Sequence, residues 1–96
     1  MLIAERTLEV LDGTDSHPVR ITVQKPQQTE FGDWICEYEI GWPEGPRKFA
    51  GHGIDNLQAL MLALQMVWAE LYTSTYHRAG QLRYKALSGA YGFQFP

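Results

Sequence analysis

The sequence holds a single cysteine, Cys36. That excludes an intrachain disulfide and a multi-cysteine zinc site, and it suits a reducing compartment. No run of lysine or arginine occurs, and the formal net charge is -3. Nucleic acid requires a basic footprint that neutralises phosphates, and an anionic membrane surface requires the same, so neither partner is expected. Long apolar runs are also lacking. The longest, Ala59 to Leu64, falls far short of the ~20 residues of a membrane span. The opening residues MLIAERTLEV reach Glu5 and Arg6 too soon for the apolar segment of a secretion signal. The expected location is therefore the cytoplasm.

What is present is a globular balance: 96 residues, 45% hydrophobic and 20% charged. A chain this size buries roughly 60–70% of its unfolded surface, enough for one core without staples. One domain over residues 1–96 is expected, with a sheet over 1–53, a helix over 55–77 and a C-terminal strand or tail over 80–96.

Ile3 to Leu11 alternates like a strand, although a helix fits LIAERTLEVL as well. Asp12-Gly13 marks a turn, and Val19, Ile21 and Val23 alternate with Arg20, Thr22 and Gln24 as a second strand. The clearest strand is DWICEYEIGW, with Trp34, Cys36, Tyr38, Ile40 and Trp42 on one face. Pro43 to Pro46 gives a tight reversal, and Arg47 to His52 reads as the strand returning from it. The fold class follows: α+β, a four- to five-stranded antiparallel sheet with one long helix packed across one face.

That helix is capped by Asp55, with Gln58 three residues on in a capping-box pattern. Gly80 suits the position after its end, with His77 and Arg78 beside the negative pole. Wound at 3.6 residues per turn, Leu57, Leu60, Leu64, Val67, Trp68 and Leu71 form the stripe expected to face the sheet. The opposite face should be charged if it is wet. Instead it carries Gln58, Leu62, Gln65, Met66 and Ala69, flanked by Met61 and Tyr72, and Glu70 is the only charge between Asn56 and Tyr72. A helix apolar nearly all round is usually buried on both sides, and one sheet covers one side. Either the C-terminal tail or a second copy covers the other. The reading adopted is a homodimer, with Leu62, Met66, Ala69, Tyr91, Phe93 and Phe95 as its interface; AYGFQFP is then either a staple onto the chain's own sheet or a clip onto a partner.

Candidates for chemistry are sparse. His17, His52 and His77 are scattered, whereas a metal site needs three or four converging ligands, so neither a metal nor a cofactor is expected. His52 and Asp55 lie three apart at the start of the helix and are the candidate ligand-binding pair. Free N–H groups there could take an anion, but the Asp55 carboxylate competes, and Gly51 and Gly53 read more simply as a tight strand-to-helix turn. Cys36 reads as a small buried hydrophobe. Glu37 and Glu39, like Glu5 and Glu9, read as a wet sheet face paired with Arg20, Arg47 or Lys48. No catalytic residue is assigned.

Taken together, MLIAERTLEV, WICEYEIGWPEGP, GIDNLQALMLALQM and the late Tyr-Gly-Phe resemble a family of short bacterial proteins classed only as a domain of unknown function. The resemblance spans nearly the whole chain and carries no activity to transfer. The strand–turn–helix order around DNLQALMLAL is similar also to HicB-type antitoxins, which act by binding a toxin and self-associating. The function expected is a non-catalytic interaction or self-associating module. The alternatives are a toxin-neutralising or immunity-like protein, or a small ligand-binding or enzyme domain using His52 and Asp55.

Overall fold

The computed structural model describes residues 1–85 and 87–93, of 87 and 88 the backbone only. Strand β1 (Leu2–Asp12) turns through Gly13 and Thr14 into β2 (Asp15–Gln24), and Asp12 faces Asp15 across the hairpin. Lys25 and Pro26 then step out of the ladder, and the two-residue β3 (Gln27–Gln28) resumes pairing with β4 (Trp34–Trp42). Proline has no N–H to give a ladder, which is why the line breaks there. Pro43 and Glu44 connect β4 to β5 (Gly45–Gly53), which pairs along all of β4, from Trp42 opposite Gly45 to Trp34 opposite Gly53.

Two helices follow, α1 (Asn56–Thr73) and α2 (Thr75–Arg78). The chain then returns as β6 (Leu82–Tyr84) against β1 and β7 (Leu87–Ser88) against β6. The described sheet is antiparallel throughout, in the order β5-β4-β2-β1-β6-β7, with β3 prolonging β2 along β4. The α+β fold is as expected, a sheet with one long helix across one face. It is wider than four or five strands because residues 82–88 fold back beside β1. The strand expected within residues 80–96 is β6, with β7 beyond it, whereas the two residues of β3 are too few for alternation to reveal.

Asp55 caps α1 as expected: its Oδ1 accepts from the Gln58 N–H at 2.7 Å, and the Gln58 Oε1 accepts from the Ile54 N–H at 2.7 Å. The helix expected to reach 77 stops at Thr73. Ser74 is extended (φ -69, ψ 151), its hydroxyl donates to the Leu71 carbonyl at 2.7 Å, and it accepts from the His77 N–H at 3.1 Å. A hydroxyl that bonds nearby backbone competes with the helical ladder, so one serine both ends α1 and caps α2. Gly80, at φ +70, terminates α2.

The core lies between α1 and the sheet. Leu8, Val10, Val19, Ile21, Val23, Cys36, Tyr38, Ile40 and Leu82 meet Ala59, Ala63, Val67 and Leu71. Burying each large aliphatic here contributes about 1.5–3 kcal/mol. The row Trp34–Cys36–Tyr38–Ile40–Trp42 faces the helix as expected. The helix itself is turned, by roughly 70° at 3.6 residues per turn, from the stripe its sequence suggested. Leu57, assigned to the core, is 60% exposed, while Ala59 and Ala63 are fully buried.

Gly51 and Gly53 explain the rotation. A Cβ on Gly51 would lie 2.5 Å from the Ala63 nitrogen and 2.7 Å from the Ala59 carbonyl oxygen, and one on Gly53 would lie 2.5 Å from the Ala59 nitrogen. Helix backbone rests directly on strand backbone, and only alanine fits between. These glycines therefore serve a close approach more than a tight turn.

Candidate functional site

Alternation puts His52 on the face of β5 opposite the two glycines, away from α1. Its Nδ1 is 3.9 Å from the Asp33 Oδ2, with both side chains largely in solvent. Asp55 spends its carboxylate on the cap. Among the described residues no hydrogen bond or ion pair joins His52 to Asp55, and no three His, Cys, Asp or Glu side chains converge on a metal position. Cys36 is fully buried, its thiol donating to the Gln24 carbonyl at 3.3 Å. Burial, helped by the Glu37 charge, pushes that thiol's pKa up and keeps it protonated. No described helix is long and apolar enough to cross a membrane.

The uncovered sheet face is polar. Arg20 pairs with Glu5 at 2.5 Å and Lys48 with Glu39 at 3.4 Å, exposed pairs that contribute little stability. Arg47 faces the other way and reaches Glu70 at 2.5 Å. Glu70 also accepts from the Tyr38 hydroxyl, so the one charge of α1 is turned inward as a pin between helix and sheet. Burial first, then the Glu70 hydrogen bond and charge, raise the Tyr38 phenol well above its ordinary value.

With Glu70 turned in, the outer face of α1 carries no charge. It presents Leu57 at 60% exposure, Met61 at 47% and Leu62 at 38%, continued by Ile54 at 81% just before the helix. Ala69 is exposed beside them. Met66 is half-buried against the core.

The tail packs within the chain. Tyr91 is 1% exposed, its ring 5.0 Å from that of Tyr72, and its hydroxyl meets the His77 Nδ1 at 2.5 Å. The Tyr72 hydroxyl donates to the Gly89 carbonyl at 2.9 Å. Phe93 is half-buried against the core, and Phe95 lies outside the described residues. The described tail thus covers the flank of α1 that bears Trp68 and Tyr72, and leaves Leu57, Met61 and Leu62 open.

Arg6 belongs to no site motif of the sequence. The helix-side row of β1 runs Ala4, Arg6, Leu8, Val10, so a cation stands in a core row; that alternation was the available signal. Its Nη1 donates to the Tyr91 carbonyl at 3.0 Å, and the guanidinium lies 4.9 Å from the Tyr84 ring centroid and 5.2 Å from that of Phe93.

A family model described as a domain of unknown function, DUF6968, matches residues 4–95. The chain belongs to this family. The match runs from β1 through the tail, so the sheet, the glycine-seated helix and Arg6 all fall within the family's span. Neither a curated protein nor a solved structure matches the chain. The likeness to HicB-type antitoxins therefore rests on strand–turn–helix order alone, and the family's description assigns no activity to any residue.

Proposed function

We propose that this family member is a non-catalytic interaction module that self-associates through the outer face of α1, its partner being a second copy of the chain. The observation that carries this is the exposure of Leu57, Met61 and Leu62 on a helix whose only charge, Glu70, points inward. Large apolar side chains clustered on one uncharged face mark a contact surface more often than a wet one. A neutral face also suits an identical partner. Two chains of net charge -3 repel weakly at long range, but helices paired about a two-fold axis through this face bring no like charges together. Leu62, Met66 and Ala69 remain in the proposed surface, now joined by Leu57 and Met61. Tyr91 supports it from beneath by holding the Tyr72 side of the helix, and Phe93 packs against the core.

Analytical ultracentrifugation at micromolar concentration tests the proposal. The wild type should sediment as a dimer. Leu62→Glu should sediment as a monomer with an unchanged far-ultraviolet circular dichroism spectrum, because a charge on that face obstructs association and leaves the core intact. A wild type that stays monomeric across the micromolar range would rule self-association out.

A further inference from the structure

A groove of about 380 Å³ opens along the flank of α1 that also bears Trp68, between the helix, β1, β2 and the tail. Its walls are Ala4, Ile21, Val23, Leu64 and Phe93, with Arg6 at the tail end. The volume falls at the lower end of the ~300–1,000 Å³ typical of small-molecule sites, and a few placed polar groups among apolar walls are what such sites have. Leu64 borders it, three residues on from Met61 and seven from Leu57, so the groove adjoins the proposed contact face but shares no residue with it.

Arg6 is the polar group. A guanidinium carries five N–H donors, and among the described residues one hydrogen bond, to Tyr91, and no carboxylate partner is found for it. Glu5 also borders the groove, but its carboxylate is tied to Arg20 on the opposite sheet face at 2.5 Å. Among the described residues nothing neutralises this half-buried cation, which is costly, and an incoming anion offsets that cost. The rings of Tyr84 and Phe93 hold the guanidinium in place, which lowers the entropy lost on binding. One arginine among aliphatic walls suits a single negative charge on an apolar body. A phosphate dianion would call for more donors.

We propose that this groove binds a small organic monocarboxylate, its carboxylate on Arg6 and its apolar body along Val23 and Leu64. Two-dimensional ¹H–¹⁵N NMR with sodium octanoate as the probe tests it on the full chain. Octanoate should give saturable shifts at the amides of Val23, Leu64 and Gly92. Arg6→Met should weaken binding by roughly tenfold or more, the usual worth of a hydrogen bond to a charged group, and 1-octanol should bind the wild type correspondingly less well than octanoate. Ala4→Trp, which keeps Arg6 and fills the groove, should abolish the shifts; it carries the test should Arg6→Met fail to fold. Absence of saturable shifts in the millimolar range, equal binding of octanol, or binding undiminished in Ala4→Trp would each overturn the proposal.

Discussion

The two halves of α1 meet the same sheet in different ways. In the C-terminal half, Val67 and Leu71 are buried, the Trp68, Tyr72 and Tyr91 rings pack at a tilt to one another, and Glu70 pins the helix to Tyr38 and Arg47. In the N-terminal half the buried residues are Ala59 and Ala63, and the large ones, Leu57, Met61 and Leu62, face out. One half is held by side-chain volume. The other is held by proximity, because Gly51 and Gly53 let backbone meet backbone. A helix apolar nearly all round can thus be seated by its smallest residues, leaving its largest for another surface.

The largest effect expected is in the C-terminal half. Leu71→Ala leaves a cavity and should cost about 4 kcal/mol in a urea melt. Next comes Gly51→Ala. The added methyl meets helix backbone, which cannot rotate aside, so a loss of about 3 kcal/mol is expected, near the top of the range for overpacking. A neutral result would mean that α1 does not sit at glycine distance, and the contrast between the halves would vanish. Asp55→Ala should cost about 1 kcal/mol through the lost cap. Leu57→Ala, the same side-chain change as at Leu71 on the same helix, should be the smallest, within about 0.5 kcal/mol when measured on the monomeric Leu62→Glu background. A cost there near that of Leu71→Ala would restore the helix phase first read from the sequence.

Much of the fold was legible because its signals are local. Alternation in VRITV and WICEYEIGW placed β2 and β4 with the correct face inward, Asp-Gly and Pro-Glu-Gly placed the hairpins, and Asp55 with Gln58 placed the start of α1. Ser74 was harder, since a serine within a helical run is tolerated unless its hydroxyl finds backbone, as here at Leu71 and His77. Of the short strands, β6 fell where a C-terminal strand was expected, and β3 and β7 carry too few residues for periodicity. As for the site, His52 and Asp55 drew attention as side-chain types at close spacing, and the fold gives each a separate task. Arg6 was readable in principle, two positions before Leu8 on one strand face. Its meaning depends on Tyr84, Tyr91 and Phe93, more than 75 residues away.

The sequence by itself determined where β2, β4, β5, the hairpins and the helix cap fall, because turn chemistry, capping and a period of two act between near neighbours. It determined also that α1 has more apolar surface than one sheet can cover. It could not determine which way that helix turns, since a nearly uniform apolar surface has no preferred phase of its own. The tertiary structure decided that at one contact, where the missing side chains of Gly51 and Gly53 meet the backbone of Ala59 and Ala63. The same rotation left Leu57, Met61 and Leu62 on the outside, and the return of the tail beside β1 enclosed Arg6.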